Sequence, residues 1–241
     1  MRAAVAAAVC AAALLTGCAA PAAGPAASSA PASSTPAGSL PASATPGPSG
    51  DATPEGADSP AAEWKTYTTP DGRLSFDHPA QWTVAEASGS SSNGGAFVEV
   101  RNANGKLLAT LRTNLAVGTE CLEKYPFMTY DSEPVPALAQ SGVTPRFVYE
   151  ARSNPAEKDP MKAATFGYGI TSAPEPTGET ACPIAHFFTW PPSGASFAGI
   201  YNPFDTTPGN EPHVDTPEAY ADTAEYQFIR QMITSLRPAG S

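Results

Sequence analysis

The sequence predicts an α+β domain built mainly on antiparallel sheet, closed by a C-terminal helix. Three observations carry that reading. Short runs rich in aromatic and β-branched residues alternate in polarity with a period of two. Turn-forming Pro, Gly, Asn and Asp punctuate them, as at Pro70-Asp71-Gly72, Asn102-Ala103-Asn104-Gly105 and Pro191-Pro192-Ser193-Gly194. Only near the end of the chain does the apolar period change to that of a helix.

The strand candidates follow in order: "RLSFDH", "WTVAEA", "AFVEVRN", "KLLATLRTN", "RFVYEARS", "ATFGYGITS", "AHFFTW" and "ASFAGIY". Asn104-Gly105 joins two of them as a hairpin. The segment Asp215-Thr216-Pro217-Glu218 offers a cap, an early proline and an acid for a first helical turn. Phe228, Ile229, Met232, Ile233 and Leu236 then recur at helical spacing. One amphipathic helix is expected over Pro217 to Leu236, with Asp222 and Glu225 toward its start and Arg230 and Arg237 toward its end, as the helix dipole favours.

Ahead of this domain the composition is different. Met1-Arg2 and the short apolar run Val5 to Leu15 have the layout of a secretory signal over residues 1–17. The run is too short for a bilayer, which needs ~20 apolar residues. Leu15-Thr16-Gly17-Cys18 resembles the bacterial lipobox, and that resemblance implies cleavage before Cys18 and acylation of its sulfur. Attached acyl chains contribute about 0.8 kcal/mol per buried methylene, so two or more give a stable anchor. Residues 18–63 are then the lipidated cysteine and an Ala/Pro/Ser-rich tether. It has too little apolar surface to fold, and a coil of that length spans roughly 35–40 Å. Residues 64–241 are the domain, and the expected location is extracytoplasmic, held to the cell membrane through Cys18.

The domain carries a second resemblance. "YTTPDGRLSFDHPAQWTV", Tyr67 to Val84, looks like the opening hairpin of PsbP-like domains, and "YQFIRQMITSLRP" is similar to the helix that closes them. The group includes Mog-type and LpqN-type proteins, the latter sharing the lipobox and the tether. The resemblance implies a PsbP-like αβα sandwich and a non-catalytic binding or accessory role in the cell envelope, with an envelope protein as partner.

The remaining chemistry is sparse. Cys121 and Cys182 are the only cysteines beyond Cys18, in a compartment that permits disulfides, and a bridge between them is expected over a redox or metal pair. The formal net charge is −10, and no Lys or Arg lies between Lys162 and Arg230. That argues against nucleic acid as a partner. No nucleophile elbow, dinucleotide loop or zinc motif is present, so neither catalytic residues nor a cofactor are expected, and a cryptic hydrolase is the weakest alternative. Asp205, Glu211, His213 and Asp215 have cation-like residue types without a recognised spacing, and no metal is assigned to them. Phe188 and Trp190 share one strand face, as do Phe197 and Tyr201. Two readings stay open for these rings: the core beneath the helix, or a groove for a small apolar ligand (a lipid or a glycan) or a partner's apolar anchor. The second makes the protein a carrier or sensor.

Replacing Cys18→Ala is expected to move the protein from the membrane fraction into the medium, read by fractionation and immunoblotting; unchanged membrane retention removes the anchor.

Overall fold

The computed structural model describes residues 62–87, 94–118, 120–205 and 216–240. Cys18, the signal and the tether up to residue 61 lie outside the described residues. Two strands open the domain, β1 (Trp64–Thr68) and β2 (Leu74–Pro79), paired through the Pro70-Asp71-Gly72 turn with Tyr67 opposite Phe76. There follow β3 (Thr83–Glu86), β4 (Phe97–Arg101), β5 (Leu107–Thr113), β6 (Tyr125–Pro134), β7 (Arg146–Ser153), β8 (Ala164–Thr171), β9 (Thr180–Ala181), β10 (Phe188–Trp190) and β11 (Ser193–Tyr201). The chain ends in α1 (Pro217–Ala221), α2 (Ala224–Thr234) and the short β12 (Arg237–Pro238).

A large sheet runs β3-β4-β5-β11-β8-β7-β6-β9, with β10 paired to β11, and a small one runs β1-β2-β12. Every pairing is antiparallel. The domain is therefore α+β with the sheet dominant. Both helices press on the same face of the large sheet, called here the inner face. Tyr149, Tyr168 and Phe197 project from it toward Tyr226, Ile229, Met232 and Ile233 of α2 and toward Phe76 of β2, all buried. Tyr201 stacks on Tyr220 of α1 with ring centroids 3.8 Å apart. Burying each such side chain contributes about 1.5–3 kcal/mol, which makes this layer the main source of stability.

The single helix expected over Pro217 to Leu236 is two. Thr223 leaves helical geometry, accepts from the Tyr226 N–H at 3.2 Å and donates its hydroxyl to the Tyr220 carbonyl at 2.7 Å. A threonine able to cap both ways ends one helix and starts the next. Thr216 caps the first as expected, accepting from the Ala219 N–H at 3.1 Å. The cationic end does not form: α2 has no basic residue in its last turn. Arg237 lies beyond it in β12, bonding both Asp77 oxygens at 3.0 Å. Arg230 instead reaches Asp131 at 2.7 Å and also Glu133, tying α2 to β6.

Strand β6 itself escapes the sequence pattern. A bulge between Thr129 and Asp131 shifts its register against β7. The shift turns Tyr130 inward to meet Tyr149 at 5.0 Å between centroids. Its prolines and acids then read as loop.

Where β11 crosses between β5 and β8, the sheet and its aromatic layer leave no room for a side chain at Gly199. A Cβ there would lie 2.0 Å from the Leu108 carbonyl oxygen and 2.5 Å from Cε2 of Tyr168, whose hydroxyl donates to that same carbonyl at 2.8 Å. Gly199→Ala is expected to cost about 2 kcal/mol in urea unfolding by overpacking; a change under about 0.5 kcal/mol, the range of neutral surface substitutions, would refute this crowding.

Candidate functional site

Strand β7 is buried on both faces, and this decides what the other side of the sheet carries. Phe147, Tyr149 and Ala151 face inward; Val148, Glu150 and Arg152 alternate with them and are buried as well. The cover on this outer face is the segment 182–187, which crosses β7 and β8 as a strap. It is tied at one end by the Cys121–Cys182 disulfide, whose Cα atoms are 5.4 Å apart. Closing that loop of 61 residues contributes ~4 kcal/mol on the chain-entropy model. Toward its other end the Phe187 carbonyl accepts from the Ser172 N–H at 2.8 Å.

Beneath the strap three ionisable side chains meet. Glu150 presents one oxygen to His186 Nε2 at 3.1 Å and the other to Arg152 at 2.8 Å. Arg152 spends its other donors on backbone carbonyls, Cys182 at 2.6 Å and Ala151 at 2.8 Å. Its guanidinium carbon lies 5.5 Å from the centroid of Phe127. Glu150 is 5% exposed, His186 6% and Arg152 9%. Burial works to raise the Glu150 pKa, but the His186 hydrogen bond and the Arg152 charge outweigh it and hold the carboxyl below its ordinary range. Charges this deep persist only when paired on every side, and here strap and strand supply the partners jointly.

Beside the strap lies a recess of about 500 Å³. Ile184, His186 and Phe187 of the strap form one wall; Leu107, Ala198 and Ile200 of the sheet form the rest. Its depth comes from small residues. Gly167 lets the strap approach, since a Cβ there would stand 3.3 Å from His186 Cε1 and 3.4 Å from an Ile184 methyl. At the rim, Ile200 is 69% and Leu107 43% exposed. A volume of this size and an apolar lining with few polar groups are the ordinary attributes of a small-molecule site.

The four aromatic residues with two open readings, core or groove, are elsewhere. Phe188, Trp190, Phe197 and Tyr201 all belong to the buried core cluster, and none of them lines the recess. Of the two readings left open, their burial is that of core rings. Trp82 and His78 are buried in the same layer, His78 bonding the Pro79 carbonyl through Nδ1 at 2.9 Å. The Gly167-Tyr168-Gly169 run is part of β8. Asp205 is described, whereas Glu211, His213 and Asp215 lie outside the described residues. Among the described residues no group of three His, Cys, Asp or Glu side chains is placed to hold a metal ion.

Glu150, Arg152 and His186 were not legible as a cluster. The available signal was local: in "RFVYEARS" the charges Arg146, Glu150 and Arg152 share one face, opposite Phe147, Tyr149 and Ala151. What covers it is set by a contact 36 residues away.

No family model, curated protein or solved structure matches this chain.

The depressed Glu150 pKa makes a pH prediction with a definite sign. A group that ionises more readily when folded adds stability above its unfolded pKa and loses it as pH falls through the folded one. Glu150→Gln is expected to cost about 2 kcal/mol near neutrality, with the gap to wild type closing in acid. A gap that stays constant with pH in denaturant titrations would contradict the ionised network.

Proposed function

We propose that this chain is a membrane-anchored extracytoplasmic lipoprotein of the cell envelope that works by binding, and that the recess between the strap and β5, β8 and β11 holds a small apolar ligand. The observation that carries the reading is the recess itself: about 500 Å³, apolar on most of its wall, on the sheet face opposite the helices. Ile200 and Leu107 remain exposed to solvent at its rim, a cost that a bound apolar group removes. The anchor and the envelope location rest on the lipobox resemblance at Leu15 to Cys18. The PsbP-like αβα assignment rests on Tyr67 to Val84 and the closing helix, and is supported by the helix pair packed on the sheet. Among the described residues both helices lie on one face, so the second helical layer of such a sandwich has no counterpart there.

A histidine backed by a carboxylate in a cleft also has the form of a catalytic dyad. Among the described residues no serine, threonine or cysteine side chain is hydrogen-bonded to the ring, Thr165 of the same recess included. His186 lies over Gly167, which pairs with Ile200. Ser196, the serine lining the same recess, is four residues back along β11, a rise of ~13 Å. That spacing supports a binding wall rather than a hydrolase.

The test uses the full chain carrying Cys18→Ala, so that no attached acyl chain competes, and an uncharged solvatochromic dye. One dye per chain with blue-shifted emission is expected, weakened about tenfold by Ala198→Phe, which fills the recess with a ring. Absence of binding, or binding indifferent to Ala198→Phe, overturns the reading.

A further inference from the structure

The recess and the buried network share one ring, His186. It lines the recess while 6% exposed. Its Nε2 faces Glu150, and among the described residues its Nδ1 has no hydrogen-bond partner. The two nitrogens are not equivalent. A carboxylate only accepts hydrogen bonds, and the second Glu150 oxygen is already taken by Arg152 at 2.8 Å. The proton of the neutral imidazole therefore sits on Nε2, where it is donated to Glu150, and Nδ1 is left as a lone-pair acceptor. Thr110, Thr165 and Ser196 also line the recess, but their hydroxyls can rotate to donate or accept. Among the lining side chains His186 is the one whose role is fixed, and a ligand donor that reaches Nδ1 takes the place of the solvent hydrogen bond that an accessible acceptor otherwise makes.

Resting on the reading of the recess as an apolar site, we propose that its ligand is an aliphatic molecule bearing a hydroxyl group, whose O–H donates to Nδ1 of His186, and that Glu150 is the positioning residue that fixes this preference by fixing the tautomer. The chain supplies the aliphatic contact through Ile184, Ala198 and Ile200, and the single directed hydrogen bond through His186. Arg152 takes part at one remove. By holding the second Glu150 oxygen, and being held by the Cys182 and Ala151 carbonyls, it keeps the carboxylate ionised and facing the ring.

The probes are octanol and heptyl methyl ether, equal in heavy atoms and differing in the O–H. Binding is measured by dye displacement on the full chain carrying Cys18→Ala, in mildly alkaline buffer. Octanol is expected to bind about fivefold more tightly than the ether, the worth of one net hydrogen bond. Glu150→Gln tests the positioning role. Arg152 claims the amide oxygen, the amide N–H then faces Nε2, and the ring proton moves to Nδ1. That nitrogen donates to either probe, so the preference is expected to fall to none while both still bind. Histidine nitrogen NMR reads the same switch without ligand, with the proton on Nε2 in the parent chain and on Nδ1 in the variant. Equal binding of both probes by the parent chain, or a preference that survives Glu150→Gln, overturns this inference and leaves the apolar site standing. Binding of neither probe overturns both.

Discussion

The structure turns on a buried carboxylate. Glu150 sits in the middle of β7, inside a sheet, and is stable there because His186 and Arg152 occupy its two oxygens. Removing any one of the three strands a charge or a polar atom in low dielectric, which costs more than the bond itself is worth. His186 belongs to the strap and Arg152 to the strand, and Arg152 grips the strap again at the Cys182 carbonyl. The network is thus a clasp between two pieces of chain distant in sequence. The disulfide at Cys182 adds a covalent hold at the near end of the strap. The clasped strap forms one wall of the recess, with Gly167 setting how close it comes to the sheet.

The two faces of the large sheet divide the labour. All the large rings of β7, β8 and β11 that point inward are packed under α1, α2 and β2, and polar ties lock that layer. Arg230 reaches Asp131 and Glu133 on β6, and Lys106 meets Glu225 at 2.6 Å, joining the β4–β5 hairpin to the start of α2. Burial and the Asp131 carboxylate both push the Tyr226 hydroxyl far above its ordinary range, so it stays protonated and donates to Asp131 at 2.8 Å. With stability supplied from the inner side, the outer face is free to carry glycine and alanine at Gly167, Gly169 and Ala198. Small residues there make the hollow that large ones would fill. Stability and a binding surface draw on opposite sides of the same strands.

That division also explains what could be read from the chain. The hairpins at Asp71-Gly72 and Asn104-Gly105, the start of the terminal helix at Thr216-Pro217 and the Cys121–Cys182 pair are local or compositional signals, and local signals survive folding. The break at Thr223 was hidden because a capping threonine looks like any polar residue on a helix face. Strand β6 was hidden by a bulge that interrupts its alternation. The aromatic density of "HFFTWPPSGASFAGIY" was visible, but whether rings face a core or a ligand depends on which side of the sheet the helices cover. The candidate site was the least legible part. His186 and Glu150 acquire meaning only from the 36-residue contact between them, and nothing periodic encodes it.

The Glu150 clasp, rather than general packing, holds the strap to the sheet. Native-state hydrogen exchange compares it with the rest of the fold directly. The Ser172 amide, bonded to the Phe187 carbonyl, reports the strap, and amides within the β7–β8 ladder report the sheet. In Glu150→Ala, which removes both contacts, protection at Ser172 is expected to fall while the ladder amides keep theirs. Equal loss at both, or none at Ser172, would contradict it.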